Sequence, residues 1–427
     1  MNSSYASQIL LMVAIAMSLM GAERAHAQFK TLYAFKGGVD GIMADPNLVL
    51  DSSGNLYGTT SGGGVLNEMC QKLSNPSCGT VFELSPASGG IWQETIIYRF
   101  AAVTTGEQRG VWLFDGAGNL YGTIVRGGLA CSCGAVFELS PAAGGPWTKS
   151  TVYNFHGVDG SQPYGLVKDA GGNLYGTTDF GGDGEGVVYE LSPAAEGAWT
   201  QTVLHTFDRA TGAGPGSALF LDNSGNLFGT ALVGGGSEHP STIFELYPES
   251  GGGWSYSKLA PLPSATETSG TVFEDSSGKL FGTTQAGGAE GGGTVFEFSP
   301  LTGGDWTRSV LHIFDPFVGV TSTPPKGSTP VGLVEDGDGG FYGTTIYGGN
   351  SNCTWGCGVL FHLTRTSSGG WSETILHSFS GGHDGAYPGP LIQDGNGNIF
   401  GTTSTGGNAV CKCGTVFEMV NPAGDAE

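Results

Sequence analysis

The tripeptide aromatic-Gly-Thr recurs seven times along the chain, beginning at Tyr57, Tyr121, Tyr175, Phe228, Phe281, Tyr342 and Phe400. The copies stand about 53 to 64 residues apart, a spacing that marks stacked repeats of one supersecondary unit. Around the third copy, Gly165-Leu166-Val167 leads to Asp169, then to Asn173-Leu174-Tyr175-Gly176-Thr177-Thr178. Val187-Val188-Tyr189-Glu190-Leu191 follows, and then Trp199 to Phe207. Each segment is short, rich in β-branched and aromatic residues, and bounded by Gly, Pro, Asp or Asn, as strands are. The unit is therefore four short strands, here called A, B, C and D.

Seven four-stranded units arranged radially predict an all-β fold, a seven-bladed β-propeller with four antiparallel strands per blade. The two ends of the chain support a closed ring. The last copy stops after its strand C, Thr415 to Val420, while Phe29 to Phe35 near the start matches the strand D that ends Thr151-Val152-Tyr153-Asn154-Phe155. An N-terminal strand closing the last blade would remove an exposed edge. The alternative, an open stack of sheets, would need atypical capping units at both ends.

Composition limits what such a ring can do. Only 13% of residues are charged, but 39% are hydrophobic and 11% aromatic, enough to fill a core and too much for a disordered chain. The 78 glycines follow no three-residue period, which excludes collagen. A formal charge of -22 would repel a phosphate backbone, so no nucleic acid is expected as a partner. Ile9 to Ala22 is an apolar run followed by Ala25-His26-Ala27, the small-x-small pattern of a signal-peptidase site. Residues 1–27 thus read as a signal peptide, 28–420 as one propeller domain and 421–427 as a polar tail. A retained anchor is the alternative for the leader, although the run is short of the roughly 20 residues that span a bilayer. The expected location is periplasmic or extracellular in a bacterium, with no transmembrane anchor after cleavage, and the expected state is a monomer.

Recurring residues report shared geometric demands. Asp ends every strand A, at Asp51, Asp115, Asp169, Asp222, Asp275, Asp336 and Asp394, with Gly three residues later, which suits a hairpin turn. The Gly inside strand B implies that something approaches the backbone closely, and an aromatic of the next blade is expected there. The Thr that follows it is expected to bond between blades. Glu in strand C, from Glu83 to Glu418, is expected to bond to a neighbouring blade, because a buried carboxylate needs partners. Trp92, Trp147, Trp199, Trp254, Trp306 and Trp371 open successive strands D as a rim packing series whose exposed members would suit sugars.

Departures from the repeat carry the functional expectations. Asp40, Asp159 and Asp384 sit in Gly-x-Asp-Gly connections between strand D and the next strand A, and a further loop holds Glu107 and Arg109. Together they form a candidate ligand patch, with Asp40, Asp159 and Asp384 as candidate metal ligands, calcium being the possible ion. Ordinary turn chemistry is the competing account of these aspartates. Eight cysteines lie in the loops after strand B: Cys70 with Cys78, Cys131 with Cys133, Cys353 with Cys357, and Cys411 with Cys413. An even count in an exported chain predicts disulfides, local ones by spacing, while zinc would need four ligands to gather from separate blades.

The motifs Leu56-Tyr57-Gly58-Thr59-Thr60 and Gly79-Thr80-Val81-Phe82-Glu83-Leu84, with Gly-Gly-x-Trp before strand D, resemble those of the GloVer tandem-repeat family of exported bacterial proteins. The resemblance spans about residues 29 to 420. It implies export and a repeat fold, and it assigns no catalytic residue. The chain departs from that family's anchored members in having no carboxyl-terminal sorting segment. NHL and lactonase-type propellers share the Asp-x-x-Gly-Asn rhythm more distantly. Three functions follow as expectations: a binding or scaffold module for a glycan or envelope component; a metal-assisted lactonase or a polysaccharide lyase or hydrolase using the acidic loops; or a purely structural ring without a pocket at its mouth.

Overall fold

The computed structural model describes residues 28–420 apart from 65–78, 101–106, 128–130, 143–144, 183, 209–210, 233–240, 263–267, 290 and 316–326. The expected leader 1–27 and tail 421–427 lie outside the described residues. Seven four-stranded antiparallel sheets follow one another around a ring. Blade one holds strands Ile42–Leu50, Leu56–Gly62, Thr80–Pro86 and Trp92–Arg99, hydrogen-bonded in that order, and the next five blades repeat the plan. Blade seven is built from both ends of the chain: Ala386–Gln393, Ile399–Thr405 and Thr415–Val420 are joined by Gln28–Ala34 as the outermost strand. Phe29 lies opposite Met419 and Ala34 opposite Thr415. Strands A of adjacent blades touch all the way round, including those of blades seven and one. The protein is therefore a closed seven-bladed β-propeller.

The core is divided among the seven seams between blades. Tyr57, Val81 and Phe100 of blade one pack with Leu120, Phe137 and Leu139 of blade two, and the series ends with Phe35 and Phe400 of blade seven against Leu48 and Phe82 of blade one. Each tripeptide aromatic serves a seam. Tyr57 meets Trp147 of the next blade at 6.2 Å between ring centres, Tyr121 meets Trp199, Tyr175 meets Trp254, Phe228 meets Trp306 and Phe400 meets Trp92. Such tilted and edge-on pairs add about 0.5–1.5 kcal/mol beyond area burial. The rim tryptophans are thus packing residues, five of them half-buried against the tripeptide ring of the preceding blade, while Trp371 stacks on Phe341 of its own blade.

The strand B glycine has a different partner from the one expected. The close ring comes from strand C of the same blade, because Gly58 and Phe82 are cross-strand partners. A Cβ on Gly58 would lie 2.5 Å from Phe82 Cζ and 2.9 Å from Leu48 Cδ2, and the same overlap recurs at Gly122 with Phe137 and Gly401 with Phe417. Contact with the next blade belongs to the aromatic one residue earlier.

The other recurring residues follow or adjust the sequence reading. In every blade the Asp that ends strand A accepts a bond from the backbone amide four residues on, closing the A-to-B turn. Three of the Thr hydroxyls cross between blades, Thr177 donating to the Ser217 carbonyl at 3.1 Å, Thr344 to Gly389 at 2.7 Å and Thr402 to Asp45 at 3.0 Å, whereas Thr59 bonds to the Asp45 carboxyl and Thr230 to the Ser217 hydroxyl of their own blades. The strand C glutamates instead find partners at home. Ser85 donates to Glu83, Ser140 to Glu138, Ser192 to Glu190 and Ser299 to Glu297, because a residue two places along a strand shares its face. Glu297 in addition lies 3.8 Å from Arg365 of blade six.

The glycine overlap gives a direct test. Gly58→Ala is expected to cost about 1–3 kcal/mol through overpacking against Phe82, and Phe82→Leu in the same chain should recover part of the loss. Urea unfolding of the single and double variants measures both; a Gly58→Ala protein as stable as the parent would refute the contact.

Candidate ligand-binding site

The three loop aspartates are each occupied by their own corner. Asp40 accepts from the Tyr33 hydroxyl and the Lys36 amide, both at 2.6 Å. Asp159 accepts from the Tyr153 hydroxyl at 2.6 Å and the His156 amide at 2.7 Å, with His156 Nδ1 at 3.0 Å. Asp384 accepts from the Ser380 amide at 2.9 Å and the Ser380 hydroxyl at 2.5 Å, with His377 Nε2 at 3.1 Å. Tyr33, Tyr153 and His377 belong to strands D, the outermost strands of their blades, so they draw the carboxyls towards the rim. Burial alone would raise the Asp159 and Asp384 carboxyls, but the donors around them outweigh it and hold both below the usual carboxylate range.

Each of the three aspartates thus locks its own corner. Among the described residues no three His, Cys, Asp or Glu side chains gather as a metal site needs. The donors already aimed at these oxygens do not fit a calcium ion, which takes six to eight oxygens, and metal-assisted chemistry at Asp40, Asp159 and Asp384 loses its common centre. Glu107 and Arg109 lie on strand A of blade two, Glu107–Phe114, rather than in a loop, with Glu107 opposite Arg126; their side chains lie outside the described residues.

The cysteines form local bonds, Cys131 to Cys133, Cys353 to Cys357 and Cys411 to Cys413. Cys70 and Cys78 lie outside the described residues. Each bond packs on a glycine at or just before the start of an aspartate corner: a Cβ on Gly157 would lie 3.5 Å from Cys133 Sγ, one on Gly381 3.0 Å from Cys353 Sγ and one on Gly37 3.2 Å from Cys413 Sγ. Disulfide loop and Gly-x-Asp-Gly corner are two halves of one structure, which explains why they occur in the same part of the ring.

That structure holds the mouth of the channel. Met43, Gln162, Thr329 and Tyr387, at the starts of four strands A, have φ of 58°, 59°, 60° and 57°. Their amides donate to carbonyls of the preceding blade, at Cys413, Cys133, Gly292 and Cys357, over 2.8–2.9 Å. In blade four the same role falls to Gly214, φ 55°, whose amide bonds to the Glu185 carbonyl. A left-handed backbone costs an L-residue about 1–2 kcal/mol, so four of these five places keep a side chain where glycine would be easier.

Beside these residues lies a cavity of about 470 Å³. Ala44, Tyr164, Ala218, Val331, Tyr387 and Pro390 supply much of its wall, and no charged side chain is among its described lining residues. Its polar groups are neutral: Asn47, Gln285, Thr402 and Ser404. Strands A begin and strands B end here, so the cavity opens towards the cysteine loops.

A family model described as the Gloeobacter/Verrucomicrobia repeat matches residues 64–264 and 253–417. The chain belongs to that family. No curated protein matches the sequence. Among solved structures, the chain is similar to a puromycin-hydrolyzing peptidase from Mycobacterium tuberculosis, with 10% identity, TM-score 0.52, and coverage of 87% of this chain and 52% of that one. It is also similar to the extracellular domain of BT3049 from B. thetaiotaomicron, described as a hybrid two component system, with 13% identity, TM-score 0.50, and coverage of 92% and 41%. The repeat chain thus spans about half the length, or less, of these two proteins. A gluconolactonase from Xanthomonas campestris aligns over 91% of this chain and 100% of its own, with 11% identity and TM-score 0.42. The likenesses to the peptidase and to the extracellular domain speak for the fold and leave activity open.

One acidic group near Asp40 is set apart by its surroundings. Glu94 lies opposite Leu84 in blade one, as Gln201 lies opposite Leu191 and Tyr256 opposite Leu246. Gln201 and Tyr256 donate to the preceding corner, at the carbonyls of Asp159 and Thr211. Ionised Glu94 has no proton to donate, and its Oε1 is buried without a partner. Burial first, and the Asp40 charge second, push its carboxyl up from 4.5 to about 7, against Lys36 and Arg99. The folded protein thus holds a proton that the unfolded chain releases above about 4.5. This contribution to stability is full below that pH and is lost as pH rises through about 7. Glu94→Gln is expected to remove that slope and to raise the melting temperature at pH 8; thermal melts from pH 5 to 8 test it, and an unchanged slope would refute the assignment.

Proposed function

We propose that this propeller is an exported binding module that takes a neutral, hydroxyl-rich ligand, a glycan or another cell-envelope component, at the mouth of its channel. The observation that carries the reading is an uncharged cavity at the mouth, lined by Tyr387 on left-handed backbone and flanked by three further residues, Met43, Gln162 and Thr329, held at the same angle. The amides of these residues bond to the preceding blade, which glycine would do at less cost, so the side chains kept there are a pointer to function. Met43 stays 42% exposed there, so it adds little to the core. A concave, mostly apolar wall with a few neutral polar groups is the usual form of a small-ligand site. A purely structural ring would have no reason for such a pocket, and the charge of -22 disfavours anionic polymers as ligands.

The test is calorimetric titration with neutral oligosaccharides of the parent protein and of a variant carrying Met43→Gly, Gln162→Gly and Thr329→Gly. Relief of strain, about 1–2 kcal/mol per site, is partly offset by the greater freedom of glycine in the unfolded chain. Stability is therefore expected to hold or rise while affinity falls on the order of tenfold. Lower stability with unchanged affinity would assign these side chains to the fold instead.

A further inference from the structure

Six of the eight tryptophans open strands D, but Trp355 does not. It sits inside Cys353-Thr354-Trp355-Gly356-Cys357, a five-residue loop closed by the Cys353–Cys357 bond. The loop is tied down from several directions. The Gly348 amide donates to the Trp355 carbonyl at 3.0 Å, the Cys357 amide to the Asn350 carbonyl at 3.2 Å, and Asn352 Nδ2 to the Ser380 carbonyl at 3.1 Å. The indole on this fixed backbone is nevertheless 45% exposed. It packs edge-on against Tyr347 at 5.6 Å, and Tyr347 packs edge-on against Tyr387 at 5.9 Å. Tyr387 is one of the strained mouth residues and lines the cavity. Three rings thus run without a break from the surface into the channel.

We propose that Trp355, Tyr347 and Tyr387 form a stacking shelf that seats sugar rings of a neutral oligosaccharide as it enters the channel, and that the Cys353–Cys357 bond presents the shelf ready-made. This rests on the binding reading above and names its ligand class. An aromatic ring offers an apolar face with a polar edge, which suits the C–H face and flanking hydroxyls of a pyranose. Bases of single-stranded nucleic acid also stack on such rings, but their phosphates meet a protein of charge -22 and find no cationic groove at the cavity. Fixing the loop before the ligand arrives lowers the ordering entropy that binding must overcome. Closure of the loop by a disulfide is therefore part of recognition.

The experiment titrates the folded protein with cellohexaose, maltohexaose and N-acetylchitohexaose, and with polygalacturonate and a proline-rich decapeptide as competitors. At least one neutral oligosaccharide is expected to bind. Trp355→Ala should weaken it on the order of tenfold without moving the melting temperature, and Cys353→Ser with Cys357→Ser should weaken it less while leaving the fold intact. Preference for polygalacturonate or the peptide, or full affinity in Trp355→Ala, overturns the shelf. If Trp355→Ala binds as the parent does while the triple glycine variant does not, the mouth reading stands and the shelf alone falls. If no neutral oligosaccharide binds the parent, both fall.

Discussion

Pairing of Gln28–Ala34 with Thr415–Val420 makes one blade from the two ends of the chain, and every other seam presupposes it. Without that pairing Thr415–Val420 would be an unpaired edge, open to any other strand. The closing strand is also held sideways. Phe29 lies flat on His377 of blade six, with ring centres 3.7 Å apart and planes 4° off parallel, and His377 is in turn bonded to Asp384. The aspartate corner thus fixes the ring on which the closing strand rests. Contacts between residues almost a full chain length apart are slow to form, since loop closure must come before they stabilise anything. The lateral contact on blade six gives the incoming strand a second partner besides Thr415–Val420.

Once the ring is closed, the repeat divides its work by position. On one face seven aspartates close seven equivalent turns, and there is little variation to interpret. On the seams, ring pairs and Thr-to-carbonyl bonds hold blade to blade, so a chain with so little charge can still build firm contacts between its sheets. Variation collects on the other face, where strands A begin and strands B end. That is the expected arrangement for a scaffold that carries a site, because loops tolerate change while the strands beneath them do not.

Much of the scaffold was legible because periodicity exposes it. Seven copies of one tripeptide, an orphan strand D at the start and its absence at the end imply a closed ring without reference to any coordinate. What stayed hidden depends on cross-strand register or on backbone angle. Gly58 signals a close approach, but only the pairing with Phe82 says that the approaching ring belongs to the same blade. Asp40, Asp159 and Asp384 look alike in sequence and share a loop type, yet each is drawn to the rim by a donor on its own strand D. Nothing in the sequence marks Tyr387 as left-handed, since the same angle is adopted by Met43, Gln162 and Thr329, which have no chemistry in common. Trp355 did leave a trace, a tryptophan off the rim period and enclosed by two cysteines.

The cysteine loops link these two levels. A disulfide that closes so few residues removes little entropy from the unfolded chain, so its contribution to global stability is small. Its local effect is larger. The carbonyls of Cys133, Cys357 and Cys413 receive the amides of Gln162, Tyr387 and Met43, three of the four strained residues at the mouth. Those bonds tie each cysteine loop to the start of the next strand A. The Thr329 seam, whose acceptor is the Gly292 carbonyl, reaches the same geometry without a described disulfide. It shows that the fold can hold the angle alone, and that the cysteines stiffen a particular arc of the ring, the arc that carries Tyr387 and Trp355.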